Sequence, residues 1–140
     1  MIIENVKEYF ESLNSMKEFS NAINVNYLSE DIDNFSIEEI PSQPIIKKYT
    51  NGATVRQFQF AFCSREIYSM EILQNIENSG FYETLCNEIE TNNNNNIFPI
   101  LENGLESLDL AITSTPYIIS VDDNTGIYQV NFRLKYFKEV

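Results

Sequence analysis

Residues 108–140 read LDLAITSTPYIISVDDNTGIYQVNFRLKYFKEV and decide the fold. In the final run, Tyr128, Val130, Phe132, Leu134 and Tyr136 alternate with Gln129, Asn131, Arg133 and Lys135. A period of two predicts a β-strand with one buried face and one polar face, which either is half-solvated or contacts another subunit. The runs from Leu108 to Ile112 and from Tyr117 to Val121 precede it, and residues 122–126 predict a turn with a positive φ at Gly126. We expect these strands to close the sheet, with the C-terminus inside it.

An Asn-Gly pair marks a second hairpin. Asn51-Gly52 lies between the strand-like runs 45–50 and 53–63, and this dipeptide favours the tight turns that match strand twist. Phe58, Phe60 and Phe62 share one face of the second strand, and such an aromatic ladder is typical of a core. A shorter, edge-like strand is predicted from Phe35 to Ile40, ending at Pro41.

Three segments carry helical patterns. Residues 2–19 place apolar side chains at spacings of three and four, at Ile3, Val6, Phe10, Leu13 and Met16. A central helix pair is predicted from Ser69 to Asn78 and from Phe81 to Glu90, because Ser79-Gly80 would separate the two helices. The five asparagines 92–96 read as a loop. We therefore expect one domain over residues 1–140, of the α+β class, with helices packed on a mainly antiparallel or mixed sheet.

The charge and composition exclude several classes of protein. Twenty-one Asp and Glu against nine Lys and Arg give a net charge of −12, which disfavours a nucleic-acid binder held by phosphate contacts. No apolar run reaches the length of about 20 residues that a membrane helix needs, so we expect no membrane contact. The N-terminus lacks a basic region and a cleavage site, so we predict no signal peptide and a cytoplasmic compartment.

Motifs for catalysis or metal binding were sought and not found. The chain has no histidine, which removes Ser–His and Cys–His nucleophile pairs and imidazole metal ligands. The acidic segment 29–34 lacks the glycine and the distal glutamate of a calcium-binding loop. Cys63 and Cys86 are far apart in the sequence and are expected to be reduced. We therefore predict no enzyme activity, no metal site and no cofactor.

The C-terminal stretch resembles a known family. The resemblance rests on Phe98-Pro99-Ile100-Leu101, the strand from Leu108, Tyr117 with its acidic turn, and two blocks, Tyr128–Val130 and Arg133–Phe137. This pattern is similar to the tail terminators encoded by phages and prophages of low-GC Gram-positive bacteria, often labelled minor capsid proteins and related in role to the tail terminator of phage lambda. Pro116 departs from it, because the family often has glycine there; a proline at this place indicates an edge or a bend.

The resemblance implies a structural role at the neck end of a virion tail or of a phage-tail-like particle made in the bacterial cytoplasm. The chain would form a ring, typically a hexamer, that caps the tail tube, stops its polymerisation and joins it to the head connector. DNA would pass an acidic lumen without specific binding. Because cations are scarce, we take five as candidate contacts with a neighbouring subunit or the tube: Arg56, Arg65, Arg133, Lys135 and Lys138.

Three alternatives remain open at the level of sequence. The chain could be another neck component, such as a head-tail connector or a tail-completion protein. It could be a DNA-mimicking inhibitor, if its carboxylates were spaced along one face like phosphates. A small enzyme with an acidic site is the third reading, and it would require convergent carboxyl groups with shifted pKa values in a deep pocket.

Overall fold

The computed structural model describes residues 1–17, 23–28, 34–68, 72–122 and 124–140. Helix α1 spans Ile2–Ser12 and is followed by a short 3-10 helix, Asn14–Met16. Strands β1 (Asn24–Val25), β2 (Asn34–Ile40), β3 (Ile45–Lys48) and β4 (Thr54–Ile67) come next. Helix α2 (Ile72–Asn94) and the long strands β5 (Glu106–Asp122) and β6 (Thr125–Lys138) complete the chain. The predicted α+β class is confirmed.

The strands form one mixed sheet with the order β1-β2-β4-β6-β5, and β3 pairs with the end of β4. Among the described strands, only the short β1–β2 pairing is parallel. Strand β6 lies between β4 and β5, so the prediction that the C-terminal strand is inside the sheet is confirmed. Strand β5 is at the edge, and its register shifts between Ser114 and Tyr117, which agrees with the edge or bend expected at Pro116.

The core lies between one face of the sheet and the two helices. Phe10 of α1 stacks on Phe62 with ring centroids 5.0 Å apart and contacts Phe60 and Phe132 edge-on. All five apolar positions predicted for the first helix are buried, as are the five alternating apolar positions of β6. The apolar periodicities of the first helix and of β6 therefore identified core faces correctly, whereas Leu108, Tyr117, Ile119 and Val121 of β5 are exposed.

The helix boundaries differ from the predictions. Helix α1 ends at Ser12 and the 3-10 turn follows it; residues 18 and 19 lie outside the described part of the chain. The central helix pair is wrong, because one helix runs from Ile72 through Gly80 to Asn94. Gly80 lowers the helix propensity of α2 but does not end the helix. A Cβ at this position would meet no atom within 4 Å, so close packing does not require a glycine there. The predicted cap at Ser69 is outside the described residues, as are the inward side chains of Ile72, Leu73 and Ile76.

Two turns also differ in detail. The predicted Asn51-Gly52 hairpin is present, but Tyr49 N–H bonds to the Ala53 carbonyl at 2.8 Å, so the loop has three residues and only Gly52 has positive φ, at 93°. Gly126 lies within β6 without positive φ, because Asp122 and Thr125 already pair in the ladder. A Cβ at Gly126 would lie 3.2 Å from Cβ of Tyr68, so this glycine permits a close approach.

Candidate interaction surface

The face of β4 and β6 turned away from the helices is polar, and we call it the outer face. Its residues are the odd-numbered positions of both strands, in register with each other. Its central residues are Gln57, Gln59, Ala61, Cys63 and Arg65 on β4, and Ile127, Gln129, Asn131, Arg133 and Lys135 on β6; Val55 with Phe137 and Ile67 with Thr125 lie at its two ends. Neither helix supplies a core contact on this side, because the buried cluster contains the even-numbered positions.

Amide side chains hold the outer face in a defined arrangement. Gln59 Nε2 donates to Gln57 Oε1 at 3.3 Å, and Gln57 Nε2 donates to the carbonyl of Gln43 at 2.7 Å. On β6, Gln129 Nε2 bonds to Asn131 Oδ1 at 2.9 Å and to the Tyr117 hydroxyl at 3.0 Å. These bonds fix several rotamers before any partner arrives, which lowers the entropy lost on binding.

The structure brings together two of the candidate cations, Arg133 and Lys135. Both are half-buried on the outer face, and their cross-strand neighbours on β4 are the neutral Gln59 and Gln57. On β5, Arg133 lies opposite Ala111, and Lys135 lies opposite the carboxylate of Asp109. The ion pairs found among the described residues involve the amino terminus and Lys7, and neither Arg133 nor Lys135 takes part in one. Nε of Arg133 is buried and has no hydrogen-bond partner in the described part of the chain. A buried donor of this kind is costly unless an acceptor is supplied.

The other three candidate cations are dispersed. Arg65 lies on the outer face too, but six residues along the strands from Arg133, about 20 Å away, and its Nη1 donates to Thr125 Oγ1 at 3.3 Å. Arg56 and Lys138 are on the helix side of the sheet, where Arg56 Nε donates to Thr54 Oγ1 at 3.1 Å. The five cations therefore do not form one site, and the pair at 133 and 135 is the best defined.

Strand β5 forms the edge of the sheet next to Arg133 and Lys135. It is contacted by a residue that the sequence analysis assigned to a loop. The segment 92–96 is not all loop: α2 continues to Asn94, and Asn93 reaches β5. Asn93 Oδ1 accepts the Leu110 N–H at 2.8 Å, and its amide donates to Asp109 Oδ1 at 2.9 Å. The side-chain cap at Leu110 and the missing N–H of Pro116 each remove a donor from this edge, which disfavours pairing with another strand at those positions. The repeated asparagines gave no signal of this role.

A cavity of about 540 Å³ lies between α2 and the β5–β6 hairpin, lined by Tyr82, Cys86, Pro116, Tyr117 and Tyr128 among others. At its base the buried hydroxyls of Ser64 and Tyr82 share a short hydrogen bond. Burial, and secondarily the charge of Glu90, raises the pKa of the Cys86 thiol to about 11. Cys86 is therefore a protonated thiol at neutral pH, and thiolate chemistry is not available to it.

Cys63 is the second thiol, and it lies on the outer face beside Glu38. Its Sγ donates to Glu38 Oε2 at 3.1 Å. Burial raises its pKa, and the hydrogen bond and charge of Glu38 raise it further. Cys63 and Cys86 are both free thiols, as expected from their spacing.

Comparisons with known proteins give little information about the function of this chain. No protein-family model matches the sequence, and no curated protein is significantly similar to it. Among the described residues, no cluster of three or more Cys, Asp or Glu side chains is placed to hold a metal ion. The acidic segment weighed as a cation site lies outside those residues, apart from Asn34. Neither described helix is long and apolar enough to cross a membrane.

Proposed function

We propose that this chain is a structural protein of a phage or of a phage-tail-like particle, and that it acts as a tail terminator. It assembles into a ring on the end of the tail tube, stops tube polymerisation and presents a surface to the head connector. It performs no catalysis in this role. The proposal rests on the resemblance of residues 98–137, and one structural observation favours it: a cationic pair on an uncovered sheet face of an acidic protein.

Several features of the fold support this reading. The residues that carry the resemblance form one continuous unit, in which Ser107 Oγ bonds to the Pro99 carbonyl at 2.5 Å and β5 leads directly into β6. Strand β6 of this unit pairs with β4, so the outer face belongs to the central part of the sheet and is held in place by the core. An uncovered, amide-rich face with cations is typical of a surface that meets a protein partner.

The net charge fits a ring around DNA. A lumen with carboxylates repels phosphates, so DNA can move through it without being held. The same repulsion acts between subunits, so assembly requires that the few cations face carboxylates. The position of Arg133 and Lys135 on the outer face is compatible with such contacts.

Tube polymerisation with the tube protein from the same source tests the proposal. Purified tube protein is allowed to assemble with and without this chain, and tube lengths and ends are measured by negative-stain electron microscopy. We expect shortened tubes with extra density at one end, and the effect saturates at a fixed ratio of chain to tube ends. Unchanged tube lengths with bare ends would refute a terminator role.

The same experiment separates the alternative of another neck protein. A head-tail connector or tail-completion protein would bind connector rings and leave tube growth unaltered. The gene neighbourhood provides an inexpensive second check, because a terminator gene is expected beside a tube or sheath gene.

A further inference from the structure

The only charged residues on the outer face of the two central strands are cations, although the neighbouring strands place carboxylates on the same side of the sheet: Asp109 lies opposite Lys135, and Glu38 lies opposite Ala61. The outer face of β4 and β6 carries three of the nine Lys and Arg residues, Arg65, Arg133 and Lys135, and none of the 21 Asp and Glu residues. The opposite side of the domain is formed by α1 and α2. A cationic strip on two central strands favours association with an exposed acidic stripe on another copy of the molecule.

The helix side carries two exposed acidic stripes. On α1, Glu4, Glu8 and Glu11 recur at spacings of four and three and are all exposed, opposite the buried Val6 and Phe10. On α2, Glu83 and Glu90 are exposed with Asn87 between them. The exposed amino terminus lies 3.8 Å from Glu4, Lys7 pairs with Glu11 at 3.8 Å, and Glu8 has no ion pair with any described residue.

The spacing of the two cations matches one of these stripes. Arg133 and Lys135 are two residues apart on a strand, so their Cα atoms are about 7 Å apart. Glu4 and Glu8 are four residues apart on a helix, about 6 Å along its axis. Among the described side chains of α2, the exposed carboxylates Glu83 and Glu90 are seven residues apart, about 10 Å along the axis, because Asn87 occupies the intervening turn. The α1 stripe is therefore the better match.

We propose that the outer face of one copy of this chain binds the α1 stripe of a second copy, with Arg133 and Lys135 against Glu4 and Glu8. The contact is heterologous, because two different surfaces meet, and repetition of it generates a ring or an open chain according to the rotation between copies. It deepens the proposed function by naming the contact between subunits, and it rests on that proposal only for closure into a ring.

The side chain of Arg133 gives a physical reason why association would favour this contact. In the single chain its buried Nε lacks an acceptor among the described residues. A carboxylate that arrives from a neighbour can accept from Nε and a terminal nitrogen together, once the guanidinium turns towards it. The bond to Nε therefore satisfies a donor that has no acceptor among the described residues of the single chain. Strand addition at β5 is a poorer route to self-association, since Asn93 and Pro116 each remove a donor from that edge.

Charge-swap complementation in the analytical ultracentrifuge tests the contact. One variant carries Arg133→Glu and Lys135→Glu, and a second carries Glu4→Lys and Glu8→Lys. We expect wild type to self-associate more tightly at low than at high ionic strength, and each variant alone to raise the dissociation constant at least about tenfold. An equimolar mixture regains association, because the intact helix side of the first variant meets the intact outer face of the second.

Matched controls keep the result specific. Glu83→Lys with Glu90→Lys makes the same change of charge on α2 and should leave association near the wild-type level. Arg133→Gln with Lys135→Gln removes the cations without reversing them, which covers the case in which buried glutamates disturb the sheet. The proposal is overturned if wild type stays monomeric at low salt and high concentration, if the mixture associates no better than its parts, or if the α2 control has the larger effect.

Tube assembly with the same variants separates the two proposals. If wild type caps tubes and both charge variants cap them equally well, the contact is wrong and the terminator role stands. If complementation succeeds and wild type leaves tubes uncapped, the contact stands and the terminator role is wrong.

Discussion

Glu88 joins α2 to the end of α1, and we expect its removal to destabilise the domain in a pH-dependent way. Its carboxylate accepts the N–H of Asn14 at 2.7 Å, the N–H of Ser15 at 2.8 Å and the hydroxyl of Ser15 at 2.5 Å. These two N–H groups open the 3-10 helix and have no carbonyl partner within it, so Glu88 acts as its cap from a distant part of the sequence.

The hydrogen bonds determine the pKa of Glu88. Burial alone would raise it, but the bonds from Ser15 and Asn14, with the charge of Lys17, lower it below the ordinary value of 4.5. A carboxyl group whose pKa is lower in the folded state stabilises the fold above the unfolded-state pKa. That stabilisation is lost as the pH falls through the folded-state value.

We work the magnitude from the hydrogen bonds. Bonds to a charged group contribute about 1.5–3 kcal/mol each and neutral ones about 0.5–1.5 kcal/mol. Glu88→Gln keeps one acceptor oxygen and loses the charge, and the bond to Asn14 is exposed, so water replaces part of the loss. We expect Glu88→Gln to lower the free energy of unfolding by about 1–2 kcal/mol at pH 7, a fall in Tm of roughly 3–6 °C.

Urea unfolding of wild type and Glu88→Gln between pH 7 and pH 3 measures this. The difference between the two proteins should shrink as the pH falls below about 4.5, because a protonated Glu88 resembles glutamine. Glu90→Gln is the control: Glu90 is exposed on the same helix and should cost less than about 0.5 kcal/mol at any pH. A difference that is independent of pH would refute the reasoning that the charge carries the effect.

Three further predictions concern stability, each read as the free energy of unfolding in urea. Gly80→Ala should raise it by about 0.5–1 kcal/mol, since the new methyl group meets no atom within 4 Å and the helix gains propensity; a loss would contradict the uninterrupted α2. Tyr82→Phe should lower it by about 1–2 kcal/mol, because buried Ser64 loses its partner, and adding Ser64→Ala should recover part of the loss. Asn93→Ala should lower it by about 1–2 kcal/mol through the uncapped Leu110 N–H, whereas a loop residue would cost nothing.

The sequence correctly predicted those parts of the fold that depend on residues close together in the chain, such as an alternating strand or a tight turn. Alternation along β6 identified its buried face, and the Asn-Gly pair identified the β3–β4 hairpin. The helix pair was wrong because a glycine in a helix costs only about 1 kcal/mol against alanine, and the packing of Tyr82, Leu85 and Ile89 against the core outweighs that cost. Propensity at one residue was given more weight than burial over the whole helix.

The sequence predicted only part of the candidate interaction surface, because the rest depends on contacts between distant parts of the chain. The sequence placed Arg133 and Lys135 on the polar side of β6, but it could not show that β4 pairs with β6, because α2 and β5 lie between them in the chain. That pairing puts Gln57 and Gln59 beside the two cations, so the nearest cross-strand carboxylate is Asp109, which β5 places opposite Lys135. The net charge of −12 is an average that conceals this arrangement.

The core itself maintains the cationic face. Strands β4 and β6 pair over 14 residues each, from Thr54 with Lys138 to Ile67 with Thr125. A shift of β6 by one residue would bury Arg133 and Lys135 and expose Phe132 and Leu134, both of which are now fully buried. The free energy that holds those aromatic and aliphatic side chains in the core thus also fixes which side of the sheet is positive. Mutations in the core are therefore expected to disturb association as well as stability whenever they loosen the register of β6.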